Sequence, residues 1–368
     1  MNPPPGPQGT LIKRAQPSFP SNEQQVIIST SRNDREQGLV RTVTRTSGLD
    51  APIVSLAGAH GGEILCCRFD PTGQFIAACS ADRTVSLWQT YPPNTNYGQL
   101  TNVHKAPILD LQWSLLSSSI YTVGADGNLC ISDLTTGSRI RRIKAHKGVV
   151  NSLDRIATGG TELLVTGGDD GTVRVWDVGA DGQGEDAREP VKEFEIGCPV
   201  TAVCWSSDAA QVYVAALDNC VHAYDLRTAE RLHTLKGHTD TPASLAISPG
   251  PGNYILSPSF SSQTIIHDIR PFSPHPNRIY RQLQGAPAGF ENTLARAAWS
   301  KYDGGKRVAV GGADRSVTVW DVESGRILYK LPGHKGTVTC VEFHPKEPIV
   351  LTGSKDGTML LGEIDPSL

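Results

Sequence analysis

Along its length the chain alternates short apolar runs, rich in β-branched and aromatic residues, with turns built from Gly, Asp, Asn and Pro. In its last stretch TVTCVEFHP (337–345) ends on Pro345, IVLTGS (349–354) follows, and KDGT (355–358) turns the chain into a third run. Runs of this length and composition, punctuated in this way, read as strands. Four of them fit into each stretch of forty-odd residues. Phe69, Trp113, Trp205, Trp299 and Phe343 close the first run of their stretches at matching places. An aromatic at a fixed strand position fills a core between neighbouring units more readily than it holds a ligand.

A polar pattern lies over the apolar one. A His is followed by an Asp 22 to 24 residues later, and by an aromatic six residues after the Asp. The first unit gives His60, Asp82 and Trp88; the second His104, Asp126 and Ser132; the third His146, Asp170 and Trp176. The fourth keeps Asp218 and Tyr224, and the fifth runs His238, Ser261, His267. The sixth keeps Asp314 and Trp320, and the seventh runs His334, Asp356, Gly362. Units end at Gln89, Asp133, Asp177, Asp225, Asp268, Asp321 and Glu363. Their spacing is the period of about 40–45 residues typical of WD40 repeats, lengthened twice by insertions. The Trp-Asp dipeptide survives only at 176/177 and 320/321, and Gly-His only at 237/238 and 333/334, so recurrence of spacing carries the assignment.

The expected fold is therefore all-β, a seven-bladed propeller over residues 51–366 with repeats near 59–89, 103–133, 145–177, 196–225, 237–268, 290–321 and 333–363. An open ring would leave an unpaired strand edge. The last unit has only three strands before Ile364, whereas the orphan run PIVSLAG (52–58) precedes His60. This run is expected to complete the seventh blade as its outer strand.

Four residues before the Asp, several units carry a hydroxyl: Thr122, Thr166, Ser257 and Thr352. The combination resembles the structural tetrad of WD40 repeats. That resemblance implies that a loop His bonds the turn Asp, a strand hydroxyl bonds the His, and a Trp indole donates to the hydroxyl. On this reading only the third unit is complete, with His146, Thr166, Asp170 and Trp176. The partial sets are His60, Asp82 and Trp88; His104, Thr122 and Asp126; Asp218; His238 and Ser257; Asp314 and Trp320; and His334, Thr352 and Asp356. Hydroxyl, His and Asp also make up hydrolase triads. A nucleophilic site, however, occurs once and brings a nucleophile elbow or an oxyanion hole, whereas this set repeats with its hydroxyl on a strand. The glycine-rich TGGDDGT (166–172) has neither phosphate-loop spacing nor a following helix, and reads as a turn. No catalytic residue, cofactor site or metal site is expected.

Composition narrows the picture further. With 34 Lys and Arg against 37 Asp and Glu the net charge is −3, which lacks the broad basic footprint of a nucleic-acid binder. No apolar stretch approaches the 18 or so residues of a membrane span, and the first ten residues lack a secretory signal's apolar core, so a soluble intracellular protein is expected. The eight cysteines (66, 67, 79, 130, 198, 204, 220 and 340) are scattered through strand-like runs without CxxC or zinc-finger spacing, and read as buried, reduced thiols. Residues 1–50, rich in Pro, Ser, Gln and Arg, read as a disordered tail. One insertion, 179–190, is acidic and reads as a mobile loop. The other follows Asp268 and presents Phe272 and Phe290 on a proline-stiffened excursion, which makes both candidate partner anchors, with packing against the propeller flank the alternative.

The stretch DIRPFSPHP…QLQGAP…GFENTLARAAWS, and the closing RILYKLPGHKGTVTCVEFHPKEPIVLTGSKDGTMLLGEI, resemble the WD40 subunits of the spliceosomal U5 small nuclear ribonucleoprotein over roughly 51–364. The Arg-Pro-Phe insertion, the Gly-Phe-Glu-Asn segment and a terminal Gly-Glu-Ile in place of Trp-Asp discriminate more sharply than the repeats do. The resemblance implies a nuclear, non-catalytic scaffold whose partners are protein subunits of the U5 particle and spliceosome, above all the particle's largest scaffold protein. It implies an indirect association with U5 RNA and a role in pre-mRNA splicing. The alternative is a WD40 adaptor of another complex, such as a ubiquitin-ligase substrate receptor or a chromatin-complex subunit. An adaptor of that kind brings a helical module, and the first 50 residues show no helical periodicity.

Overall fold

The computed structural model describes residues 45–182 and 189–365. The tail expected over 1–50 lies outside the described residues up to position 44, as does the middle of the acidic insertion, 183–188.

Each stretch of strand-like runs folds into one four-stranded antiparallel sheet, and the sheets are the seven blades of a propeller. The chain first lays down β1 (Ile53–Leu56) and then blade 1: β2 (Ile64–Phe69), β3 (Phe75–Ser80), β4 (Val85–Gln89) and β5 (Asn96–Leu100). Blade 2 holds β6 (Ile108–Trp113), β7 (Ser119–Gly124), β8 (Asn128–Asp133) and β9 (Ser138–Lys144). Blade 3 holds β10 (Val150–Thr158), β11 (Thr161–Gly168), β12 (Thr172–Gly179) and β13 (Lys192–Glu195). Blade 4 holds β14 (Val200–Trp205), β15 (Gln211–Ala216), β16 (Val221–Asp225) and β17 (Arg231–Leu235). Blade 5 holds β18 (Ala246–Ile247), β19 (Tyr254–Pro258), β20 (Gln263–Asp268) and β21 (Ile279–Gln284). Blade 6 holds β22 (Ala298–Trp299), β23 (Arg307–Gly311), β24 (Ser316–Asp321) and β25 (Ile327–Pro332). The last sheet is β26 (Val338–Phe343), β27 (Ile349–Ser354) and β28 (Met359–Glu363), with β1 as its fourth strand. Ile53 pairs with Gly362 and Leu56 with Met359, so the run 52–58 closes the ring as its sequence position suggested.

The sequence repeats are offset from these blades. Each repeat takes in a loop and three strands, and the outermost strand falls in the spacer that follows, as β5 does between Gln89 and His104. The matching aromatics lie in apolar layers between adjacent sheets. Trp113 of blade 2 packs with Val85 and Leu87 of blade 1, and Phe343 of blade 7 with Val317 and Val319 of blade 6. Burying each large side chain contributes roughly 1.5–3 kcal/mol. The innermost strands of blades 5 and 6 are only two residues long, the shortest of the described strands.

Candidate functional site

The turns that join the second and third strands of six blades are held by an Asp that accepts the backbone N–H two residues on. The bonds are Thr84 to Asp82 (2.9 Å), Asn128 to Asp126 (3.2 Å), Thr172 to Asp170 (3.2 Å), Cys220 to Asp218 (3.1 Å), Ser316 to Asp314 (3.2 Å) and Thr358 to Asp356 (2.9 Å). This is why Asp recurs: its short side chain closes its own turn. The residue after it is left-handed, Gly in blades 2, 3 and 7 but Arg83, Asn219 and Arg315 elsewhere.

In blade 3, His146 Nδ1 lies 2.9 Å from Asp170, His146 Nε2 lies 2.9 Å from Thr166 Oγ1, and the Trp176 indole donates to that hydroxyl at 3.0 Å. Blade 1 differs from the sequence reading, which left it without a hydroxyl. His60 Nδ1 meets Asp82 at 3.1 Å, and Ser86 supplies the missing oxygen, 2.7 Å from His60 Nε2 and 2.8 Å from the Trp88 indole nitrogen. His60, Asp82, Ser86 and Trp88 are therefore a second complete set. Ser86 pairs across the ladder with Ala78, which lies four residues before Asp82 where other blades carry the hydroxyl, so the oxygen comes from the facing strand.

The other blades satisfy fewer members. Blade 2 joins His104 to Asp126 and to Thr122, both at 2.9 Å, but Ser132 stands at the Trp position with its buried hydroxyl unpartnered. Blade 7 joins His334 to Thr352 at 2.8 Å, with Asp356 farther off at 3.5 Å. In blade 4 Asp218 has a His after all: His222, four residues on, lies 2.8 Å away. In blade 6 Asp314 pairs with Lys330 at 2.7 Å, and the Trp320 indole donates to the Gln284 carbonyl at 3.1 Å. Blade 5 joins His238 to Ser257 at 2.6 Å, whereas Ser261 bonds Ser259 and His267 is buried with both ring nitrogens unpartnered.

Burial opposes ionisation of the turn carboxylates, yet hydrogen bonds from the Lys147 N–H, His146 and Thr172 hold Asp170 down at about 2. Asp126 is held at about 2 in the same way, by His104 and the Lys105 N–H. Burial pushes His104, His146 and His334 below their ordinary value, so each is a neutral ring, and His104 and His146 donate to the turn carboxylates. The hydroxyls of Ser86, Thr122 and Thr166 are buried, and two of them are backed by an indole. A substrate has no approach to them. The sets pin loops to turns.

The channel holds charges that no local pattern announced. Arg296, on the segment leading into β22, reaches across the ring: Nη1 lies 2.9 Å from Asp110 of blade 2, and Nη2 donates to the carbonyls of Leu109 (3.0 Å) and Asn151 (2.9 Å). Asp110 also accepts the Leu153 N–H of blade 3 at 2.8 Å. Asp154 does the same for Trp205 of blade 4 at 2.9 Å, and Glu342 of blade 7 for Phe69 of blade 1 at 2.6 Å. Buried carboxylates thus satisfy inner-strand N–H groups that the next blade would otherwise leave unpaired.

The two candidate anchors are fully in solvent, Phe272 at 94% and Phe290 at 107% exposure. The sequence treated the residues after Asp268 as one excursion. The structure divides it, because β21 runs through its middle. Phe272 therefore lies on the connection from β20 to β21, and Phe290 on the connection from β21 to β22. In an antiparallel sheet these connections are at opposite ends of the strands, so the two rings emerge on opposite faces of the propeller. The Phe272 loop is rigidly held. Arg270 and Ser273 bond Asp268 at 2.6 and 2.8 Å, and Arg278 donates to the carbonyls of Asp268, Arg270 and Pro271.

Fold and tetrads together define a WD40-repeat β-propeller. The family model "WD domain, G-beta repeat" matches residues 51–89 and 325–361, and a β-propeller model, "Nucleolar protein 10-like, N-terminal domain", matches 74–248. The U5 small nuclear ribonucleoprotein 40 kDa protein of Dictyostelium discoideum is 39% identical, covering 97% of this chain and 97% of its own. Pre-mRNA-splicing factor cwf17 of Schizosaccharomyces pombe is 39% identical over 87% of this chain and 90% of its own. The human U5 small nuclear ribonucleoprotein 40 kDa protein is 37% identical over 87% and 86%. The chain belongs to the U5 small nuclear ribonucleoprotein 40 kDa protein family.

Proposed function

We propose that the chain is a non-catalytic protein-interaction scaffold of the U5 small nuclear ribonucleoprotein, acting in the nucleus in pre-mRNA splicing and attached to the particle's largest scaffold protein. The likeness over 97% of its length to a relative named for that particle carries the reading. The geometry supports binding over catalysis, since the hydroxyl, His and Asp groups are spent on one another inside the blades. Phe272 and Phe290 are anchors for two separate partner surfaces. The pinned loop beneath Phe272 lowers the ordering cost of docking. A net charge of −3 suits protein contacts better than phosphate contacts, so U5 RNA is reached through other subunits.

The test is to purify the tagged full chain from nuclear extract at moderate salt and probe for U5 RNA. Recovery of that RNA, reduced at least tenfold by Phe272→Asp or Phe290→Asp with unchanged melting temperature, is the expected result. Wild-type protein that brings down no U5 RNA refutes the assignment. Undiminished recovery with both variants refutes the anchors alone.

A further inference from the structure

Two thiols meet at the seam where the ring closes. Cys67 on β2 belongs to blade 1 and Cys340 on β26 to blade 7, and their Sγ atoms are 3.2 Å apart. Both are buried in the apolar layer that joins the two blades. The backbone on either side of the pair is fixed across the same seam. On one side the Thr339 hydroxyl donates to the Ile64 carbonyl at 2.6 Å, and on the other the Phe69 N–H donates to Glu342 at 2.6 Å. The sulfurs are therefore held together rather than passing each other. A disulfide bond is about 2.05 Å long, so the pair needs to close by only about 1.2 Å. Its neighbour Cys66 packs on the other side of the strand, in the layer between blades 1 and 2.

The pair is also reachable. Cys67 and Cys340 both line a channel cavity of about 250 Å³, together with Arg296. The two thiols are unequal. Burial opposes ionisation of Cys340, but a hydrogen bond from the Cys67 thiol and the nearby Arg296 charge hold it below its ordinary value. Burial, with Cys340 alongside, pushes Cys67 up, so Cys67 keeps its proton.

We propose that Cys67 and Cys340 are a redox-modifiable pair, which a peroxide oxidises to a disulfide that staples blade 1 to blade 7 and locks the ring shut. The Cys340 thiolate attacks one peroxide oxygen, the O–O bond breaks, and the departing hydroxide takes up the proton that Cys340 released. Cys340 is left as a sulfenic acid. The Cys67 sulfur attacks that sulfur, the S–S bond forms, the S–O bond breaks, and hydroxide leaves with the Cys67 proton as water. Two thiols and one hydrogen peroxide give one disulfide and two waters, with two electrons passing from sulfur to oxygen. The staple would span most of the chain, the case in which a cross-link restricts the unfolded state most.

The full chain, freed of reductant and exposed to hydrogen peroxide under native conditions, is alkylated in denaturant, digested and analysed by mass spectrometry. The expected product is a peptide joining Cys67 to Cys340, lighter than its two halves by two hydrogens and cleaved by dithiothreitol. The melting temperature rises on the order of 5–10 °C. Cys67→Ser and Cys340→Ser each abolish that rise, and Cys66→Ser keeps it. Should either variant fail to fold, the linked peptide from wild-type protein decides. Its absence from folded, oxidised protein overturns the proposal, as does linkage found only in urea or a Cys66–Cys79 link in its place.

Discussion

Ser86→Ala removes one oxygen from blade 1 and leaves two groups without their partner. The Asp82 carboxylate can only accept, so His60 Nδ1 carries the ring proton and Nε2 accepts from the Ser86 hydroxyl at 2.7 Å. That hydroxyl in turn accepts the Trp88 indole N–H at 2.8 Å, with Ser86 at 0% exposure. Orphaning a buried polar group costs about 1–3 kcal/mol, so the variant, with two groups orphaned, loses about 2–6 kcal/mol. In a domain of this size, with an unfolding entropy of about 2.1 cal/mol/K per residue, that lowers the melting temperature by roughly 3–9 °C. Urea unfolding followed by circular dichroism measures it, with the midpoint falling and the slope unchanged. Ser132→Ala in blade 2 is the matched comparison, because its buried hydroxyl has no partner to orphan. It should be neutral or stabilising by up to about 1 kcal/mol. A loss below about 0.5 kcal/mol for Ser86→Ala, or equal losses for the two variants, refutes the reasoning.

Blade 5 makes stability depend on pH. Burial lowers His238 to about 4, and burial with His238 nearby lowers His267 to about 3. As pH falls below about 6.5 the unfolded chain takes up protons that these two rings refuse, so stability is lost with falling pH, by about 2 kcal/mol per ring at about pH 5. His267→Phe should shrink the loss between pH 7 and 5 by about 2 kcal/mol, read as urea midpoints at the two pH values; an unchanged difference counts against it. Arg296→Met leaves the buried Asp110 without its closest cation and should cost about 3–5 kcal/mol, with Asp110→Asn recovering part in the same background. A loss under about 1 kcal/mol in thermal unfolding would mean that Arg296 does not brace the ring.

Blade number, strand order and ring closure were legible because each rests on a local signal that repeats: a turn Asp, a strand-closing aromatic, a fixed spacing. What the sequence concealed was substitution in space. Thr166 pairs across its ladder with Arg174, and the equivalent pair in blade 1 is Ala78 with Ser86. The same point is filled by an oxygen from the opposite strand, eight residues later in sequence. A hydroxyl two residues before a Trp was the available signal. His222 likewise reaches Asp218 from within the same hairpin, not from the preceding loop. Arg296 had no signal at all, since its partners Leu109, Asp110 and Asn151 are brought near only by closing the ring. The two phenylalanines read as neighbours because the six-residue strand β21 between them carries no member of the repeating pattern.

The pairing of β1 with β28 sets a clock on synthesis. Leu56 meets Met359 only after about 300 further residues have been made, a wait of about 15–60 s at ordinary translation rates. Until then blade 1 lacks the Leu351 and Leu361 side chains against which Ile76 and Trp88 pack, and β1 is an unpaired edge. A nascent chain halted before Met359 shows that edge to the cell's quality control, and only a chain whose β28 has left the ribosome can hide it.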